Sequence, residues 1–162
     1  MTIQINGANG LTFPDTSSQA VASKVLQVVQ GTYSTQVSTT SSSWVSSGLS
    51  ATITPKFATS KILVLMYTPG CVYGPSAASN GNYQVQRNGT FVAGSNNQSG
   101  GALVYFSSNG EINWPIMFSA LDSPATTSAT TYTLYLNSVN SGYVYAQSNN
   151  LPGYIQLLEI AP

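Results

Sequence analysis

Apolar and polar positions alternate with a period of two along most of this chain, and a helical period is almost absent. Leu49, Ala51 and Ile53 face one way while Ser50, Thr52 and Thr54 face the other; Tyr132, Leu134 and Leu136 alternate in the same manner with Thr133, Tyr135 and Asn137. Each run predicts a half-buried strand. In NYQVQRNGTFVAG the alternation continues on both sides of Asn88-Gly89, a pair suited to the positive φ values of a type I′ turn, so a hairpin is predicted there. Further strands are predicted at Val25 to Gln30, Thr32 to Ser38, Ser43 to Ser46, Lys61 to Tyr67, Ala102 to Phe106, Ile116 to Leu121, Tyr143 to Gln147 and Tyr154 to Ile160. Roughly ten short strands separated by turn residues predict an all-β fold, an antiparallel β-sandwich of jelly-roll-like character.

One run departs from the alternation. In SKILVLMY the residues from Ile62 to Tyr67 are apolar or aromatic throughout, and Thr68-Pro69-Gly70 is expected to end them in a turn. Apolar side chains on both faces call for a central strand covered twice, once by the opposing sheet and once either by loops of the same chain or by another subunit. The last strand, YIQLLEI, makes the same demand through Ile155, Leu157, Leu158 and Ile160. Residues 1–22 are different: Gly, Asn, Pro and Ser punctuate scattered apolar residues that cannot form a core. This segment is expected to be an extended N-terminal attachment arm preceding a knob over residues 23–162. Ile3 and Ile5, then Leu11 and Phe13, are its candidate anchors, by strand addition or by insertion into a partner's pockets.

Composition narrows the function. Of 162 residues 42% are hydrophobic, enough for one core, but only 5% are charged, against about 25% in ordinary soluble domains. Four basic and four acidic residues give no basic patch to release counterions from phosphates, so nucleic-acid binding is not expected. With no histidine, the usual nucleophile–base arrangements are excluded. A glycosidase needs only two carboxylates, and Glu111 with Asp122, or either with Glu159 or Asp15, are the available pairs. Asp122 in Leu-Asp-Ser-Pro and Glu111 after Asn109-Gly110 are nevertheless read as turn residues, and no enzyme, metal site or cofactor is expected. The single cysteine, Cys71, is read as a small apolar residue after the Pro-Gly turn. The N-terminus lacks the pattern of a secretion signal, and no apolar run approaches the roughly 20 residues of a membrane helix, so assembly in a cytoplasm without membrane insertion is expected. What the chain has in quantity is tyrosine, hydroxyl and amide groups, the chemistry that holds neutral sugars. Tyr73 and Tyr83 around CVYGPSAASNGNY, Tyr143 and Tyr145 in SGYVYAQSNN, and Trp114 before Pro115 are the candidate glycan contacts.

Three stretches resemble the small β-sandwich knob domains of tailed-phage virions, particularly the fibre-like proteins of cyanophages and other aquatic phages. GLTFPDTSSQAVASKVLQVVQ resembles the leader that precedes such knobs, LSATITPKFATSKILVLMY is similar to their Ile-Thr-Pro segment followed by Ser-Lys-Ile-Leu-Val, and FSALDSPATTSATTYTLYL with the closing IQLLEI is similar to their last strands. The family commonly has Gly-Thr where Thr16-Ser17 stand here, and Cys71 to Ile112 matches no part of it. The resemblance implies a homotrimer of sandwiches around an axis, located on the virion. A nearly chargeless surface suits this, because identical faces meeting at an axis repel when they carry like charges. No heptad, collagen-like or β-helical period announces a fibre shaft, and the chain opens on a methionine and a short arm. The expectation is therefore a capsid-decorating (cement) knob held by its arm on the major capsid protein and able to bind host-surface polysaccharide. The alternative is the distal tip of a tail fibre or tailspike.

Overall fold

The computed structural model describes residues 4–6, 10–12, 18–19, 24–74, 79–95, 102–104, 110–139 and 142–162. Three short strands come first, β1 (Gln4–Asn6), β2 (Gly10–Thr12) and β3 (Ser18–Gln19), paired only among themselves, with Ile5 opposite Leu11. Where an extended arm is expected, the described leader residues thus form a small antiparallel sheet; Ile3 and Phe13 lie outside the described residues. There follow β4 (Val25–Tyr33), β5 (Val37–Thr39), β6 (Val45–Ile53), β7 (Lys61–Gly74), β8 (Ser79–Arg87), β9 (Thr90–Gly94), β10 (Ala102–Val104), β11 (Gly110–Asp122), β12 (Thr130–Ser138), β13 (Tyr143–Ala146) and β14 (Gly153–Ile160).

They form the expected sandwich. One sheet runs β10-β8-β12-β6 with β9 also on β8; the other runs β4-β14-β7-β13-β5 with β11 also on β7, and all pairings are antiparallel. The period-two pattern explains the core. Leu49, Ile53, Tyr132, Leu134 and Leu136 from the first sheet meet Ile62, Val64, Met66, Val144, Ile155 and Leu157 from the second, all essentially without exposed surface. Asn88 and Gly89 take φ of 46° and 88° between Arg87 and its partner Thr90, so the predicted hairpin closes through two left-handed residues.

The turn expected at Thr68-Pro69-Gly70 does not form. Strand β7 continues through it to Gly74, paired with β11 from Ile62 to Gly74, while on its other side β14 reaches only to Tyr67 and β13 takes over at Gly70. Pro69 stands opposite Pro115 and falls in the gap between β14 and β13, so neither proline leaves a ladder donor missing. Gly70 is small because Ile116 and the hydroxyl of Tyr83 occupy the space that its Cβ would need. Consequently Cys71 is a strand residue, as is Glu111, and β11 begins six residues before the predicted start at Ile116.

Polar groups close the sandwich at one end. Arg87 on β8 donates through Nη1 to both carboxylate oxygens of Asp122 on β11, at 2.8 and 2.6 Å, and the Tyr132 hydroxyl donates to the same carboxylate at 2.7 Å, so Asp122 links the sheets instead of capping a turn. Burial raises the Tyr132 hydroxyl pKa, and the Asp122 carboxylate adds to the rise. Glu159, with no exposed surface, accepts from Gln27 Nε2 at 2.6 Å and from the Lys56 backbone N–H at 2.7 Å. Burial opposes its ionisation, but these donors outweigh burial and hold the carboxyl below its ordinary value of 4.5.

Two outcomes follow. Since unfolded Glu159 titrates near 4.5 and the folded carboxyl lower, its contribution to stability is complete above that pH and is lost as the pH falls through the folded value. Urea midpoints measured from pH 7 down to pH 3 should show this acid slope, and Glu159→Gln should lower the neutral midpoint and flatten the slope. Gly31 of β4 lies against the Ser50 carbonyl of β6, where a methyl group has no room; Gly31→Ala should cost about 1–3 kcal/mol in chemical denaturation, whereas exposed Thr127→Ala, away from the strands, should be near neutral.

Candidate functional site

The outward face of the β7 sheet carries the features that the core does not explain. Strand pairing sets its side chains in rows: Val28, Leu158, Leu63 and Leu121; then Gln30, Gln156, Leu65 and Ser119; then Thr32, Tyr154, Tyr67 and Met117. No ionisable acid or base stands in these rows; Lys61 lies beyond one end and Glu111 beyond the other. Met117 is 67% exposed, Val28 60% and Leu121 56%. Tyr67 and Tyr154 stack with centroids 6.4 Å apart, Gln156 Nε2 donates to Gln30 Oε1 at 2.8 Å, and a depression of about 540 Å³ opens between these side chains and Met117. Four strands by three rows cover on the order of 300 Å² in projection, with Gln30, Gln156, Ser119 and Thr32 among the apolar positions, a size within the range of the largest apolar patch on an ordinary monomer.

At the other end of β7 lies a chemically different arrangement. Tyr143, Tyr73 and Glu111 share one row, and Tyr145, Cys71 and Asn113 the next. The Tyr73 and Tyr143 rings are 6.1 Å apart and those of Tyr143 and Tyr145 6.2 Å apart. Asn113 Nδ2 donates to Glu111 Oε1 at 2.6 Å, and Ser148 Oγ donates to Asn113 Oδ1 at 3.2 Å. Gln36 Oε1 accepts from the Asn149 backbone N–H at 2.7 Å. Gln36, Cys71, Tyr73, Glu111, Tyr145, Ser148 and Asn149 border a pocket of about 300 Å³, and Tyr143 lies beside it against the rings of Tyr73 and Tyr145. Burial raises the Tyr145 hydroxyl pKa, with smaller contributions from Cys71, Tyr143 and Glu111. Burial also pushes the Cys71 thiol up to about 12, and the neighbouring Glu111 carboxylate adds to the rise.

Three of the five predicted glycan contacts, Tyr73, Tyr143 and Tyr145, therefore come together, and two do not join them. Tyr83 is 1% exposed and has no face to offer a ligand; its hydroxyl crosses the sandwich and donates to the carbonyls of Tyr145 at 2.8 Å and Cys71 at 3.3 Å, holding the strands beneath the tyrosine cluster. Trp114 is half-buried against the core, opposite Gly70. Sequence reasoning missed Gln36 and Asn113, which only strand pairing brings beside the tyrosines, while Ser148 and Asn149 follow Tyr145 in SGYVYAQSNN and turn back over it in a 3-10 turn. Of the candidate carboxylates, Asp122 and Glu159 come onto one row on either side of Ile62, whereas Glu111 lies apart from both. Glu111 and Asp122 occupy opposite ends of β11, some 36 Å apart at the rise of a strand, against the 5–10 Å that glycoside hydrolysis uses. Asp122 and Glu159 flank buried Ile62, each engaged by its own donors, and Asp15 lies outside the described residues.

Among the described residues no three metal-ligating side chains cluster, and no helix is long and apolar enough to cross a membrane. No protein-family model matches the chain, and no curated protein matches it. Among solved structures it is similar to dimeric latent PorU from Porphyromonas gingivalis, at 8% identity and a TM-score of 0.34, covering 98% of this chain and 14% of that one. The chain thus spans about one seventh of that protein's length, and a likeness this weak informs neither fold nor function.

The environment of Cys71 gives a direct check on the pocket. With its thiol raised from 9.0 to about 12, alkylation by iodoacetamide at pH 8 should be about a thousandfold slower in the folded protein than in urea. Labelling at the same rate in both would mean that the Glu111 and tyrosine packing around it is not in place.

Proposed function

We propose that this chain is a structural protein of a phage virion surface, a homotrimeric knob that decorates the capsid and is attached through its N-terminal segment. The observation that carries this reading is the uncharged row structure on the outer face of the β7 sheet. Leu63, Leu65 and Tyr67 supply the second apolar face of SKILVLMY; among the described residues Leu63 is half-buried and Leu65 and Tyr67 are each 37% exposed, against 0–3% for Ile62, Val64 and Met66 on the core side. Burying such a surface against identical copies removes apolar area from water and brings no like charges together. The number three and the virion setting rest on the resemblance of residues 10–30, 49–67 and 118–136 to phage knob domains. In that arrangement each sheet face would meet two neighbours around the axis, a closed heterologous contact. Ile3, Ile5, Leu11 and Phe13 would serve the attachment to the major capsid protein.

The tyrosine cluster favours the second placement, the distal tip of a tail fibre or tailspike, where a saccharide receptor would be met first. Immunogold labelling of particles separates the two: gold over the shell supports decoration, and gold confined to the tail supports the tip.

Light scattering at micromolar concentration should give three times the 17.0 kDa chain mass. Leu65 is 37% exposed in the single chain, so Leu65→Asp should fold yet remain monomeric, because a carboxylate in the assembled interface costs several kcal/mol. A wild-type protein that stays monomeric would sink the reading, as would Leu65→Asp trimers of unchanged stability.

A further inference from the structure

We propose that the Tyr73, Tyr143 and Tyr145 cluster, with Glu111, Gln36 and Asn149, is a binding site for a neutral pyranose-containing saccharide. The inference goes beyond the assembly reading, since the cluster begins past the Pro69–Pro115 row, where Tyr145 stands opposite Cys71, about 13 Å along β7 from the Tyr67 row at the rise of a strand. Four observations carry it.

The first is the aromatic surface. Rings spaced at 6.1 and 6.2 Å, one pair tilted at 46° and the other stacked at 25°, make a contiguous aromatic cluster, and its exposed parts would serve as the platform for the C–H groups of a sugar ring. The second is the polar set. Glu111 is exposed and its Oε1 is fixed by Asn113, which places a carboxylate acceptor beside the platform, while Gln36, whose oxygen is taken by Asn149, keeps its amide nitrogen as a donor. A carboxylate and an amide next to aromatic faces match vicinal hydroxyls, which both donate and accept.

The third is charge. Among the described residues no basic side chain borders the pocket and Glu111 is its one carboxylate, so sialylated, uronate or phosphorylated ligands are repelled and a neutral sugar is not. The fourth is preorganisation. The loop bearing Ser148 and Asn149 holds Gln147, Asn149 and Asn150 at φ of 51°, 58° and 56°, a conformation uncommon outside glycine. Gln147 is fully buried and anchors that loop by donating from its backbone N–H and from Nε2 to Thr68 Oγ1, at 3.1 and 3.2 Å. Tyr83 ties down the strands below. The site's groups are therefore held in place before any ligand arrives, which lowers the ordering cost of binding. The volume of about 300 Å³ is at the small end of ligand pockets and suits one or two sugar rings.

Saturation-transfer difference NMR on the full chain, with cellohexaose, maltohexaose and laminarihexaose as probes, tests the site. At least one hexaose should bind saturably. Tyr143→Ala should weaken that binding by about tenfold or more, and Glu111→Gln by about threefold to tenfold, while Phe91→Ala on the opposite sheet should leave it unchanged. Tyr143 is 44% exposed, so its truncation leaves the core intact, and an unaltered thermal midpoint confirms that. The proposal is overturned if none of the three hexaoses binds, if binding survives the Tyr73→Ala, Tyr143→Ala double variant, or if choline chloride saturates the site and displaces the sugar, which would make it a cation site. Light scattering on the same samples keeps the two readings apart: a monomer that binds sugar defeats assembly alone, and a trimer that does not bind defeats this site alone.

Discussion

Strand β7 has two unlike jobs, and the remaining architecture follows from both. Its inward residues Ile62, Val64 and Met66 help fill a sandwich core that leaves them almost no exposed surface, while Leu63, Leu65 and Tyr67 point away from that core. Period-two geometry keeps one strand from burying both sets in the same core. An apolar outer face on a central strand thus calls for a second cover, by loops of the same chain or by another subunit. The neighbours repeat the demand: Leu158 and Tyr154 on β14, Val28 on β4, and Leu121 and Met117 on β11 continue the same face.

The same strand also joins the two ends of that face. Because β7 runs through Pro69 and Gly70 without turning, β11 can pair with it for thirteen residues, and this long ladder carries Glu111 and Asn113 to the tyrosines while leaving Asp122 at the far end to hold Arg87. The chain's few charges are accordingly used one by one: Asp122 between the sheets, Glu159 in a shell of donors, and Glu111 beside an aromatic platform. Under the proposed trimer, the chargeless rows would be the surface copies bury and the tyrosine end the surface they leave outward.

Most of the fold was legible in the sequence, because alternation is a local signal and each strand carried its own copy of it. Leu49, Ala51 and Ile53, or Tyr132, Leu134 and Leu136, face inward as read, and the Asn88-Gly89 hairpin needed only two residues to declare itself. The misreadings share one physical cause. Pro69 and Gly70 are local turn signals, and only their positions in the sheet, a gap in the ladder for one and the Tyr83 hydroxyl above the other, make them strand residues. That reading took Cys71 out of a strand, and Asn109-Gly110, a second local turn signal, did the same to Glu111. The site was half legible for a related reason: tyrosines can be picked out by type, but Gln36 and Asn113 are ordinary amides until long-range pairing sets them beside aromatic rings.

The outer face of β7 can be interrogated in one residue. Met117 is 67% exposed in the isolated chain and sits in the row of Tyr67 and Tyr154, whereas Met66 is buried in the core and serves as an internal reference. Hydroxyl-radical footprinting read by mass spectrometry reports the oxidation of each methionine separately. If copies cover this face, Met117 in the native protein at micromolar concentration will be protected nearly as well as Met66 and will become reactive in Leu65→Asp. Rapid oxidation of Met117 in the native protein, at the rate found in that variant, would contradict the account.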